Sequence, residues 1–177
     1  MLKNTNSSYG LITKLFHWLM SIIIICLLIV GFTMTSMEPS ADKWQLYSLH
    51  KSTGVVVLSL VVLRFLWSLI NIQLNLPTDL PSWQKLASRI THYLLYIFMF
   101  LMPISGILMS RFGGHEVNVF NFFIIPPLEK NLDLAGFFYN LHGISAFAFA
   151  GLIGLHISAG LYHHFIRKDN ILIRMIK

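Results

Sequence analysis

Four stretches of this chain are apolar for long enough to cross a lipid bilayer, and that feature decides what it can fold into. A span needs roughly 20 mainly apolar residues, and such runs lie at about 13 to 36, 46 to 70, 89 to 110 and 135 to 166. In hydrocarbon every backbone N–H and C=O must be satisfied within its own element, so the spans are expected to be helices. The predicted fold is all-α: an integral membrane four-helix bundle, one domain over residues 1–177. Charged residues make up only 11% of the chain, against about 25% in a soluble domain. That is too few to cover a water-facing surface.

An even number of spans puts both termini on one side. The N-tail, the second linker and the C-tail carry Lys3, Lys14, Lys85, Arg89, Arg167, Lys168, Arg174 and Lys177. The other loops hold Lys43, Lys51, Arg111 and Lys130, together with the acids Glu38, Asp42, Glu116, Glu129 and Asp133. The positive-inside rule therefore predicts cytoplasmic termini, and the net charge of +6 is a topology signal rather than a nucleic-acid footprint. The apolar run from near Leu15 to about Met37 has no small-x-small cleavage site and is too long for a signal-peptide core, so it is expected to be retained. Cys26, the single cysteine, lies inside that run. A disulfide framework and a C-x-x-C-H haem attachment are both excluded.

Ionisable groups in a span are costly and tend to mark function, yet this chain has eight histidines. Their depths are informative. His50 and His142 sit near the starts of the second and fourth spans, which run the same way, so they share an outer depth. His156 follows His142 by 14 residues, about 21 Å further along the same helix face. His17, about one turn into the oppositely directed first span, lies at the depth of His156. Two opposed pairs result, one near each membrane surface. Bis-histidine ligation of two b-type haems fits them, since it saturates the axial positions of an iron and suits outer-sphere electron transfer.

Each histidine has a blander reading as a helix-packing hydrogen bonder. A structural zinc would want its ligands converging on one centre, which a split between two depths does not offer. His92 competes with His17 for the inner pair, and depth does not separate them. Gly54, Gly143, Ser145, Ala146, Gly154 and Gly160 either admit a porphyrin or pack helices. Arg64, 14 residues after His50, lies at the inner depth and suits a haem propionate or snorkels to headgroups. Arg111 and Lys51 could serve outer propionates. His163, about two turns below His156, suits a quinone carbonyl or faces headgroups. Pro103 with Gly106 is expected to mark a kink. His92, His115 and His164 receive no role.

The segments Phe16-His17-Trp18, Leu49-His50, Leu141-His142-Gly143, Gly154-Leu155-His156 and His163-His164-Phe165 through Lys168-Asp169-Asn170 to Arg174-Met175 resemble the bacterial cytochrome b561 family. The likeness spans nearly the whole chain. It points most to the di-haem members that take electrons from periplasmic superoxide and pass them to ubiquinone in the bacterial inner membrane. The resemblance implies that His50 and His142 hold the outer haem iron, and His17 rather than His92 joins His156 at the inner one. It also implies a cytoplasmic quinone site at His163, with Lys168 as a further contact. The expected activity is that of a superoxide:quinone oxidoreductase with two haem b, needing no partner protein and no catalytic side chain at the entry site. The alternative is a quinone-reactive anchor subunit of a larger dehydrogenase or hydrogenase. A histidine-lined transporter without haem is the remaining rival.

Overall fold

The computed structural model describes all residues 1–177. Four long helices carry the chain: α1 (Leu11–Ser36), α2 (Ala41–Leu69), α3 (Ser82–Phe112) and α4 (Leu132–Tyr162). Between α3 and α4 lies a hairpin of β1 (Val117–Val119) and β2 (Phe123–Ile125), and after α4 come a π-turn (His163–Arg167) and the short α5 (Ile173–Ile176). All four long helices are long and apolar enough to span a membrane. Only 16 of 177 residues are buried, while Ile22, Ile29, Ile144 and Phe147 are among the many large apolar side chains turned outward. In water such a surface would drive aggregation; lipid is the solvent it matches.

All four helices begin earlier than the apolar runs, and in α2, α3 and α4 polar caps and amphipathic turns extend the helix past its hydrocarbon-matched core. Ser40 caps α2 by accepting from Lys43 N–H at 3.2 Å, and Asp42 stands in the first turn, where the helix dipole favours it. Asn131 caps α4 in the same way through Leu134 N–H at 3.0 Å. The start of α3 follows Pro81 directly, and its first two turns carry Lys85 and Arg89 at headgroup level.

Helix α4 packs along α3, α3 along α2, and α2 along α1, so α4 and α1 are the outer members of the series. The mid-bundle core is Met20, Ile24, Val57, Val61, Met99 and Phe149. Phe149 lies midway between His142 and His156 in sequence, and its ring stacks on Phe98 at 5.7 Å. The core therefore fills the space between the two histidine depths.

The connection between α3 and α4 contains the hairpin. Val117 pairs with Ile125 and Val119 with Phe123. Phe120 and Asn121 both adopt positive φ, 50° and 61°, as a tight hairpin turn demands. The Asn118 side chain steadies the turn, accepting from Asn121 N–H at 2.8 Å. Val117 and Val119 are buried, and the Ser52 hydroxyl of α2 donates to Asn118 O at 2.7 Å. The hairpin thus reaches down beside His50.

The other end of the bundle is knitted from both termini and the α2–α3 linker. Asn4 donates to Ile72 O at 2.9 Å and accepts from Gly10 N–H at 2.9 Å and Thr13 Oγ1 at 2.7 Å. A Cβ on Gly10 would sit 2.3 Å from Leu2 O, so glycine is required there. Trp18 Nε1 donates to Met175 O at 3.1 Å and Arg174 to Asn75 O at 3.0 Å.

Ser52→Ala removes the buried hydroxyl that donates to the half-buried Asn118 carbonyl, and the expected cost is about 1 kcal/mol. Faster proteolysis within residues 114–128 and a lower denaturation midpoint are the readouts; unchanged values would mean that Ser52 does not hold the hairpin.

Candidate functional site

Four helices contribute histidines to two layers. At the hairpin end, His50 of α2 faces His142 of α4 with ring centroids 6.2 Å apart. At the termini end, His17 of α1 faces His156 of α4 at 6.1 Å. Two imidazoles bound on opposite sides of one metal would place their centroids about 6 Å apart, from a metal–nitrogen bond of about 2 Å and the radius of the ring. Both predicted pairs meet that separation. The helices explain why: α4 carries one histidine of each pair and does not pack closely on α1 or α2, which carry the others. A gap is therefore held between opposed rings, and at the hairpin end Gly54 lines it together with His50 and His142; a Cβ there would meet nothing within 4 Å.

His92 of α3 also faces His156, at 5.7 Å. The inner layer is thus three imidazoles, and centroid distance alone does not choose His17 over His92.

The hairpin-end layer has supports that sequence patterning did not reveal. His142 Nδ1 lies 2.9 Å from Met102 O and 3.1 Å from Ser105 Oγ. Since a carbonyl only accepts, Nδ1 carries the proton and Nε2 is left free to accept, an arrangement common to metal-bound histidines. Ser105, fully buried, directs its own hydroxyl to Leu101 O at 2.7 Å. Each ring of the layer also leans on a glycine of a helix that gives no ligand to it. A Cβ at Gly106 would stand 3.2 Å from His142 Cε1, and one at Gly31 would stand 3.3 Å from His50 Cε1. Gly106, expected to accompany Pro103 at a kink, is the seat of the His142 ring. His50 Nδ1 is buried with no hydrogen-bond partner.

An apolar cavity of about 60 Å³ touches His50, His142, Gly54 and Phe149, and a second of about 210 Å³ opens beside His50 between α1 and α2. The opposed rings and the apolar lining fit a planar macrocycle held by axial nitrogens alone. A cluster of three or more ligands around one bare metal ion is absent.

The cations fall into two groups. Arg64 lies in the span at the depth of the inner layer, with its guanidinium 5.6 Å from the Tyr96 ring centroid. It joins none of the ion pairs. Tyr9 of the N-tail, whose phenol feels the Arg64 charge, has its pKa pushed up by burial and so offers no countercharge. An unpaired guanidinium at that depth calls for an anion. Arg111 and Lys51, by contrast, are engaged by the α3–α4 loop: Arg111 Nε donates to Pro126 O at 2.9 Å and Lys51 Nζ to Glu116 O at 3.3 Å.

His163 and Lys168 lie beyond α4 at the termini end. His163 opens the π-turn and Lys168 ends it in the left-handed region, exposed. His163 Nδ1 is 2.6 Å from Asp169 Oδ2, a partner that single-residue reasoning missed because the π-turn was not foreseen. His115 follows α3 in the outer loop, and His164 packs edge-on to Phe165 at 4.8 Å.

A family model described as prokaryotic cytochrome b561 matches residues 8–177. Cytochrome b561 homolog 2 of Escherichia coli (strain K12) is 35% identical, covering 98% of this chain and 93% of that protein. Cytochrome b561 homolog 1 of the same organism is 29% identical over 90% of this chain and 92% of its own length. A probable superoxide oxidase, CybB of Yersinia pestis, is 30% identical over 90% of each chain.

Gly106→Ala forces the His142 ring to shift by a few tenths of an ångström and is expected to cost about 1–3 kcal/mol as overpacking. The optical and paramagnetic-resonance signals of the hairpin-end layer should move while those of the other layer stay. Identical spectra would refute the role given to Gly106.

Proposed function

The chain belongs to the prokaryotic cytochrome b561 family, multi-pass haem b cytochromes of the bacterial inner membrane, and from that premise we propose that it is a di-haem superoxide:ubiquinone oxidoreductase. The observation that carries the proposal is the pair of histidine layers, each with rings about 6 Å apart, with Met20, Val57, Val61 and Phe149 buried between them. Bound haem b supplies reversible one-electron chemistry.

In this reading His50 and His142 hold the outer group and His17 and His156 the inner one, with both termini in the cytoplasm. The termini end carries most of the basic residues, which supports that orientation. Arg64 neutralises an inner propionate, and the unpaired state of its guanidinium supports this. Lys51 and Arg111 would have to share their loop carbonyls with an outer propionate. Two superoxide anions each give up one electron on the periplasmic side and leave as dioxygen. One ubiquinone takes the two electrons and two cytoplasmic protons at a site contacted by His163, with Lys168 beside it, and leaves as ubiquinol. No side chain acts as nucleophile or general base on superoxide. The protein's contribution is to hold, separate and desolvate the redox groups.

The charge of the outer loops favours one rival. Their acids outnumber their basic residues, and Lys51 and Arg111 face loop carbonyls, so electrostatic steering of an anion is weak. A quinone-reactive subunit fed by a docked dehydrogenase or hydrogenase would not need it. The purified protein separates the two: rapid reduction by enzymatically generated superoxide, without a partner, is expected. Reduction only in the presence of a co-purifying subunit would establish the rival.

The inner ligand is assigned to His17 on family resemblance, and substitution tests it. His17→Ala is expected to lose one haem per chain, whereas His92→Ala keeps its full complement. The reverse outcome would make His92 the ligand.

A further inference from the structure

Past α4 the chain leaves α geometry for the five-residue π-turn His163–Arg167, and Lys168 then adopts φ 59°. That reversal carries Asp169 back beneath His163. Asp169 N–H donates to His163 O at 3.1 Å, and Asp169 Oδ2 lies 2.6 Å from His163 Nδ1, both side chains being 15% exposed. The second carboxylate oxygen accepts from Ile171 N–H at 3.0 Å. Arg167 completes the group: its Nε is 3.2 Å from Asp169 Oδ2, and its Nη2 donates to the carboxylate of Asp79 in the α2–α3 linker. The Tyr162 ring stands edge-on to His163 at 5.7 Å. None of these contacts is needed to place the four histidines of the two layers.

An ionised carboxylate can only accept, so the ring proton sits on Nδ1 and Nε2 is the free position. We propose that Asp169 is a positioning residue that presents His163 Nε2 to the quinone as a proton-passing group, with Arg167 and Asp79 clamping the pair to the α2–α3 linker. The inference rests on the reading of His163 as the quinone contact. Reduction of a quinone consumes two electrons, here from the reduced cytochrome, and two protons. For each proton, Nε2 accepts it from the aqueous side and releases it to a quinone oxygen, while Nδ1–H stays on Asp169. The ring ends each transfer as it began, and the carboxylate compensates its charge while the proton is in transit. Without Asp169 the ring is free to hold its proton on Nε2, and that nitrogen can then donate a hydrogen bond but cannot accept a proton, so uptake shifts to Nδ1 on the side away from the quinone.

The full-length, haem-loaded protein is reduced with dithionite and mixed with ubiquinone-1 in a stopped-flow instrument, and re-oxidation is followed optically. This readout is independent of the natural electron donor. Asp169→Asn is expected to slow the limiting rate at saturating quinone at least about tenfold, with the half-saturating concentration little changed and a larger solvent deuterium effect. Asp169→Glu, which keeps the charge, should recover most of the rate. If His163→Gln is slow but Asp169→Asn matches wild type, the proposal fails while the quinone contact stands. If His163→Gln itself is re-oxidised at the wild-type rate, the quinone contact fails and the proposal falls with it. Should Asp169→Asn not assemble, infrared spectroscopy of histidine-labelled wild type decides. An Nδ1-protonated His163 is expected, and an Nε2-protonated ring would overturn the proposal.

Discussion

Everything in this structure depends on how imidazoles are tolerated inside hydrocarbon. A polar ring at membrane depth needs a partner, and the fold provides one by opposing rings from helices that are kept apart. Helix α4 supplies one histidine to each layer, and α1 and α2 supply the others. Because α4 leans on α3 rather than on α1 or α2, each pair keeps its ring centroids about 6 Å apart, the separation of two imidazole rings that share one metal between them. Direct ring-to-ring contact would satisfy packing better and chemistry less well.

The two layers are supported differently. At the hairpin end each ring rests on a glycine, Gly31 or Gly106, and His142 is fixed further by Met102 O and Ser105. At the termini end there is no such seat; instead His92 and Arg64 crowd the same depth. A site whose ligand is locked by a neighbouring carbonyl and a site surrounded by a third imidazole and a guanidinium have different electrostatics. Chemically identical redox groups placed at the two layers would therefore be tuned to different potentials.

Much of this was legible in the sequence, for a physical reason. Spans of fixed length and a rise of 1.5 Å per residue turn a residue number into a depth, so the 14-residue interval from His142 to His156 could be converted directly into two layers. Azimuth is harder. Whether His17 or His92 faces His156 depends on how α1 and α3 are rotated, and the structure brings both rings near. Gly106 was attributed to a kink at Pro103 because a sequence does not show what a missing Cβ makes room for. The hairpin escaped notice because its strands are three residues each and its turn uses Phe120 and Asn121 rather than the usual glycine. The His163–Asp169 contact depends on a π-turn and a left-handed Lys168, neither of which has a strong residue signature.

The central claim is that both layers bind. Total haem extracted from the purified protein, divided by polypeptide concentration from amino-acid analysis, tests it with the fewest assumptions. Two haem b per chain is the predicted ratio. A ratio of one would leave a complete histidine pair without its iron and contradict the account.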